Sequence, residues 1–270
     1  MNEFPYCLNT STIRPTPLLQ KIKVAHEAGF TAIEPWNDEI DAHIADGGTL
    51  AEVRHAIDDA GLKVVSVIAL HDWIESNDAE LPKVLDEVRR RMDQAAALGS
   101  PTIVASPPQY KINVEQAGTR FVKLHAMGKL AGVTPSMEFL GFVDGVHTLK
   151  SALEIVKASE VPNATIVADV FHLVRGGGSI EDLLTISGKQ MSIFHINDVP
   201  AQPDPLTQTD ADRVLPGDGI VDLRHVIAIL RQIGYCGPLS LELFNPELWT
   251  KNPLDVVQTG LDRIRMLVEG

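Results

Sequence analysis

The chain has 270 residues, 44% hydrophobic and 22% charged, and carries a formal charge of −13. A surface that acidic repels phosphate backbones and anionic lipid, which argues against nucleic-acid and membrane partners. The length suits one large α/β domain, and no Pro/Gly/Ser-rich linker interrupts it, so residues 1–270 are read as a single domain.

Met1-Asn2-Glu3-Phe4 offers no basic stretch ahead of an apolar run and no cleavage site, and no later run reaches membrane-spanning length. Cys7 and Cys236 stand far apart and no Cys-x-x-Cys pair exists, which fits a reducing compartment. The expected location is therefore cytoplasmic. The first apolar run, 5–9, leads into Thr10-Ser11-Thr12-Ile13-Arg14-Pro15. A helix is predicted over 18–28, ending at Gly29, followed by a second run at 31–35. The same unit recurs: a helix over 50–60 ends at Gly61 before the run 63–70, and one over 81–98 ends at Gly99 before 102–106. Further runs fall at 135–140, 165–170 and 191–197, and a helix over 226–233 ends at Gly234 before the last, 238–244. Short runs rich in Val and Ile, bounded by Gly or Pro, are the pattern of buried parallel strands. Eight of them alternating with helices predict a (β/α)₈ TIM barrel. A doubly wound open sheet would carry a Gly-rich turn after its first strand, and residues 10–15 contain no glycine. The segment 199–219 is the longest loop expected, and loops of that length in a compact domain are functional or mobile.

In such a barrel the chemistry sits at the C-terminal ends of the strands. Four of the later strand ends set an ionisable side chain inside an apolar run: Glu138, Asp169, His195 and Glu242. A lone carboxylate there is costly to bury, and four groups sharing a cation offset that cost. Three carboxylates and an imidazole suit one divalent ion, Mn²⁺, Mg²⁺, Co²⁺ or Zn²⁺, with positions left open for substrate oxygens. His172, three residues beyond Asp169, is read as a substrate-binding donor. Arg213, in the long loop, could reach a substrate oxygen with its planar fork. Trp36 and Trp73, just past their strands, could wall a sugar-sized pocket. Asn9, Glu34, His71 and Asp198 rank below these, Glu34 as a polar core residue or ion-pair partner and Asp198 as a residue that orients a ligand, binds a second metal or forms a turn. The stretch 244–249 and the apolar C-terminal helix could form a homo-oligomer contact or cap the barrel.

The ordered series Met137-Glu138-Phe139, Asp169-Val170-Phe171-His172, His195-Ile196-Asn197-Asp198, Arg213-Val214-Leu215-Pro216-Gly217-Asp218-Gly219 and Leu241-Glu242-Leu243-Phe244 resembles the xylose isomerase-like TIM barrel superfamily. Within it, the likeness is to the inosose (2-keto-myo-inositol) isomerase branch of the sugar phosphate isomerase/epimerase family. It implies metal ligands at Glu138, Asp169, His195 and Glu242. It also implies that Glu138 and Glu242 act as the catalytic acid/base pair, with His172 and Arg213 touching the substrate. The expected reaction is isomerisation or epimerisation of a small polyol ketone or sugar by proton transfer through an enediolate. The active-site loops are poor in Lys, with only Arg213 and Arg175 nearby, which favours an unphosphorylated substrate. The two-metal ligand set of xylose isomerases is not found, which favours a single ion. The alternative is a 3-dehydroshikimate-type dehydratase; in that branch a Gln tends to replace the strand-seven His, so His195 argues against it. An apurinic-site endonuclease would want a basic surface and more ligands. A non-catalytic module would have lost one of the four.

Overall fold

The computed structural model describes residues 4–270; Met1, Asn2 and Glu3, on which the reading of the chain's start rests, lie outside them. Nine strands run in chain order: β1 (Tyr6–Asn9), β2 (Ala32–Glu34), β3 (Lys63–Val64), β4 (Val67–Leu70), β5 (Thr102–Ala105), β6 (Thr134–Glu138), β7 (Thr165–Asp169), β8 (Met191–Ile196) and β9 (Leu239–Leu241). All pair in parallel, in the order β3-β2-β1-β9-β8-β7-β6-β5-β4. This is the expected TIM barrel with one correction. The predicted strand 63–70 is broken at Val65-Ser66 into β3 and β4. The break lies on the seam of the barrel. Below it β3 pairs with β2, and above it β4 pairs with β5. The backbone N–H groups of Val65 and Ile68 still donate to Ile33 and Pro35, and a bridge between Trp36 and Ile68 closes the ring.

The two-residue period of the strands sorts their side chains. Outward positions such as Leu8, Ile33, Ile103, Met137, Ile166, Phe194 and Leu241 join the large core under the helices. Inward positions such as Ile68, Val104, Val167 and Ile193 form a smaller cluster inside the barrel. The next inward residue on β7 is Asp169, and on β8 it is His195. On β6 it is Glu138, two beyond Ser136, and Glu242 follows Ser240 on the β9 line. Each apolar or small inward residue is thus the floor beneath a polar one at the mouth.

The helices end where the glycines predict. Gly29, for example, takes φ 94°, and its N–H bonds Ala25 and His26 carbonyls. That left-handed conformation carries no penalty for a residue without Cβ. The C-terminal helix, Pro253–Glu269, packs against Leu18–Ala28 and Leu223–Gln232. Nearby, the Trp249 indole N–H donates to the Ser11 carbonyl at 3.0 Å. Val256, Val257, Leu261 and Ile264 of the C-terminal helix are buried within the chain, as a barrel-capping helix requires.

The long segment 199–219 is held rather than loose. Asp198 bridges Val214 in an antiparallel pair, and its carboxylate accepts the N–H groups of Val199, Gly217 and Val221. Asp198 therefore does turn-forming work, and it anchors the loop that carries Arg213. Among the described residues no helix is long and apolar enough to cross a membrane.

Candidate active site

Asp169 and His195 are register partners on β7 and β8, so their side chains enter the mouth side by side. Asp169 also caps the short helix Val170–Arg175, accepting the His172 N–H at 3.1 Å, and Asn197 Nδ2 donates to both its oxygens at 3.2 Å. Ligand-type atoms of Asp169, His195 and Glu242 all lie within 4.8 Å of one another, and all three residues are buried. Glu138 lies outside that triangle, with its Oε2 accepting the Ser106 hydroxyl at 2.7 Å. The structure thus brings three of the four expected ligands into one cluster and sets the fourth beside it.

His195 is the hinge of the arrangement. Its Nε2 lies 3.0 Å from Glu34 Oε2, an oxygen that also accepts from Asn9 Nδ2 (2.9 Å) and the Ser240 hydroxyl (2.8 Å). That oxygen already accepts from Asn9 and Ser240, so His195 Nε2 is the donor of this contact, an assignment made from the partners. Nδ1 then faces Glu242 Oε2 at 3.2 Å and Asp169 Oδ2 at 3.7 Å, yet makes no hydrogen bond. A histidine held by a carboxylate on one nitrogen and unbonded on the other is arranged as metal-ligating histidines are. Burial alone would lower the basicity of this ring, but Glu242 and Glu34 outweigh it and raise its pKa well above the ordinary value. A cation taking Nδ1 therefore has to displace a proton.

Arg213 is the counter-charge. Its Nη1 donates to Asp169 Oδ2 (2.5 Å) and Glu242 Oε2 (2.9 Å), and its Nε and Nη2 donate to Asp210 Oδ1 at 3.0 and 2.7 Å. The guanidinium also lies 4.7 Å from the Phe171 ring centroid. Burial penalises its charge, but Asp169, Asp210 and Glu242 hold it firmly protonated. Burial likewise works against an ionised Asp169, but Arg213 and His172 keep its carboxyl below the usual range. Glu138 has no such cation beside it. Burial and the Glu242 charge push it up to about 8. His172 goes the other way: burial lowers it to about 4, so the ring is neutral at working pH. Both ring nitrogens lie beside fixed donors, Nδ1 3.1 Å from the Gly141 N–H and Nε2 3.0 Å from Arg213 Nη2, and a guanidinium only donates.

A cavity of about 360 Å³ opens over these groups, lined by Glu138, Glu242, His172, Arg213 and Trp36, with Arg14, His71, Ser106 and Phe244 among its other walls. Trp36 serves as a wall, set edge-to-face on Phe244 at 5.7 Å and tied by its indole N–H to Asn9 Oδ1 at 2.9 Å. Trp73 does not. It is fully buried, packs on Phe121, and donates its N–H to the Ser106 carbonyl at 3.0 Å. Asp72 at φ 60° turns the chain there and sends Trp73 into the helix layer. Glu34, Asn9, Ser106 and Ser240 emerge as supports that the sequence reading ranked low or passed over. The usable signal was period two: Ser240 and Glu242 alternate on one line, as do Asn9 and Cys7.

Two carboxylates and an imidazole, fixed by hydrogen bonds around a small cavity at the mouth of a barrel, define a scaffold that suits cation binding and proton transfer. The chain belongs to the xylose isomerase-like TIM barrel family, which matches residues 22–267. It is 28% identical over 265 residues to the inosose isomerase of Halalkalibacterium halodurans, covering 95% of this chain and 93% of that protein. A crystal structure of the IolI protein with a bound zinc atom matches with a TM-score of 0.90 at 26% identity, covering 100% of this chain and 98% of that one. The chain is also 24% identical over 235 residues to the 3-dehydroshikimate dehydratase of Pseudomonas putida, a match spanning 84% of this chain but 36% of that protein.

Proposed function

We propose that the chain is a divalent-cation-dependent isomerase or epimerase of a small unphosphorylated polyol ketone, inosose-like in kind. The observation that carries this reading is the unbonded Nδ1 of His195, aimed at Asp169 and Glu242 and locked from behind by Glu34. Asp169, His195 and Glu242 would hold the ion, with Glu138 completing the set. A bound Mn²⁺, Zn²⁺, Co²⁺ or Mg²⁺ supplies Lewis-acid polarisation of a ketone oxygen and offsets the negative charge that builds up as a neighbouring proton leaves.

The protein's own groups supply the proton traffic. Glu138 on β6 and Glu242 after β9 face the cavity from strands three positions apart round the ring. Removing a proton beside a carbonyl and returning one at the neighbouring carbon needs a base at one position and an acid at the other. Glu138, held by the Ser106 hydroxyl, and Glu242 are the two carboxyls placed at the cavity to take and give those protons. Neutral His172 lines the cavity and would touch the substrate, and Arg213 balances the negative charge of an enediolate. The cavity lining counts Glu138, Asp210 and Glu242 against Arg14 and Arg213, and Arg213 is already paired, which disfavours a phosphorylated ligand.

The test is turnover of inososes and free ketoses before and after chelation. Chelated protein is expected to lose activity and to recover it with added Zn²⁺ or Mn²⁺. Full activity in protein verified as metal-free would end the cation reading, and release of an enone with loss of water would move the assignment to a dehydratase.

A further inference from the structure

A second and larger cavity, of about 520 Å³, lies against the first and meets it at His71, which lines both. The adjacent residues Gln109 and Tyr110 likewise divide between them, Gln109 lining the smaller and Tyr110 the larger. Resting on the ketone-isomerase reading, we propose that this second cavity is a glycosyl subsite and that the natural substrate is a polyol ketone carrying a sugar ring.

Several features fit a neutral, hydroxyl-rich ring there. Tyr110 is 54% exposed, an aromatic face left open to the cavity where most large apolar side chains are covered. Aromatic faces pack well on flat, partly apolar bodies and keep a polar tip for a hydrogen bond. Carboxylates dominate the remaining walls: Asp72, Glu75, Glu80 and Glu87 outnumber Lys83 and Arg91. Carboxylates accept hydrogen bonds from hydroxyls and repel anions, so a sugar fits where a phosphate does not. Arg91 is not available to an anion, because its nitrogens are taken up by Glu87, Asp38 and the Ala69 carbonyl. Glu75 stands half-buried near Tyr110; burial and the Asp72 charge raise its pKa, and burial and the Glu75 charge raise that of the Tyr110 phenol. The smaller cavity is at the low end of the range for small-molecule sites and suits one ring, so the larger one extends beyond what a single ring uses.

The experiment compares 2-keto-myo-inositol with its β-glucosyl ether, in wild type and in Tyr110→Ala. Turnover is followed by kcat/KM, and contact by saturation transfer to the glucosyl protons. The expected result is a kcat/KM for the glucoside about ten-fold above that of the free ketone, with Tyr110→Ala removing the advantage for the glucoside alone. Saturation transfer to the glucosyl protons is expected in wild type and weakened in the variant. Equal kcat/KM for the two compounds, or an equal loss on both in Tyr110→Ala, would overturn the subsite. Glucosyl contact that depends on Tyr110, without turnover of either compound, would keep the subsite and reject the reaction. Glu75→Gln is the second variant, expected to weaken the glucoside alone.

Discussion

The two halves of the barrel follow the same inward period but fill its last position differently. In β6 to β9 that position is Glu138, Asp169, His195 or Glu242. In the first half it is Asn9, Glu34 or Ser106, and those residues hold the charged ones in place: Asn9 donates to Glu242, Glu34 pairs with His195, and Ser106 donates to Glu138. The clustered Glu138, Asp169, His195 and Glu242 thus come from four neighbouring strands, and the opposite side supplies their hydrogen-bond partners and the wall at Trp36 and His71. A buried charge is tolerable only when fully partnered, so the second half cannot work without the first.

Substitutions on either side should separate chemistry from support. The largest effect is expected from Glu138→Gln, with kcat down about 10³-fold and the fold retained by circular dichroism, since general acid–base groups contribute on that scale. Near-normal turnover in that variant would remove Glu138 from the mechanism. In the supporting half, Glu34→Gln should weaken cation binding about 10- to 100-fold, read by competition against a chelating dye. Unchanged affinity would mean that the contact does not set the ligand. The smallest effect is on stability of the metal-free protein. Glu138 ionises near 8 when folded against an ordinary value of 4.5. Between those values the unfolded chain gives up a proton that the native one keeps, so stability falls as pH rises from about 4.5 to 8, by a few kcal/mol. Raised His195 adds to that loss on the alkaline side. Depressed Asp169 acts below, losing its contribution as pH falls under the ordinary 3.8. His172, lowered to about 4, works the other way between 4 and 6.5, so denaturant titrations should find the metal-free protein most stable between about pH 4.5 and 6.5 and less stable above, and added Zn²⁺ should flatten the alkaline limb by mass action. A maximum at pH 8 without metal would contradict the placement of Glu138.

The barrel was legible because eight apolar runs and their terminal glycines survive as local patterns. The break at Val65-Ser66 was not, since it arises from closing the ring and leaves no mark in a continuous apolar run. The charged half of the site was legible because an ionisable residue inside Val and Ile stands out. Glu34 stands out equally, but its meaning depends on His195, a residue 161 positions away. Trp73 looked like a wall because it follows a strand end; the turn at Asp72 reverses it, and a positive φ at an aspartate cannot be read from sequence. Likewise, Arg213 was expected against substrate, and only the folded loop shows it bridging Asp169 and Glu242.

Deuterium wash-in tests the central claim most directly. Incubated in D₂O with Zn²⁺-loaded protein, 2-keto-myo-inositol should exchange hydrogen on the carbon beside its carbonyl, visible by NMR. The exchange should vanish on chelation and in Glu138→Gln. Product formed with complete retention of the substrate's hydrogen would contradict proton transfer by these carboxylates.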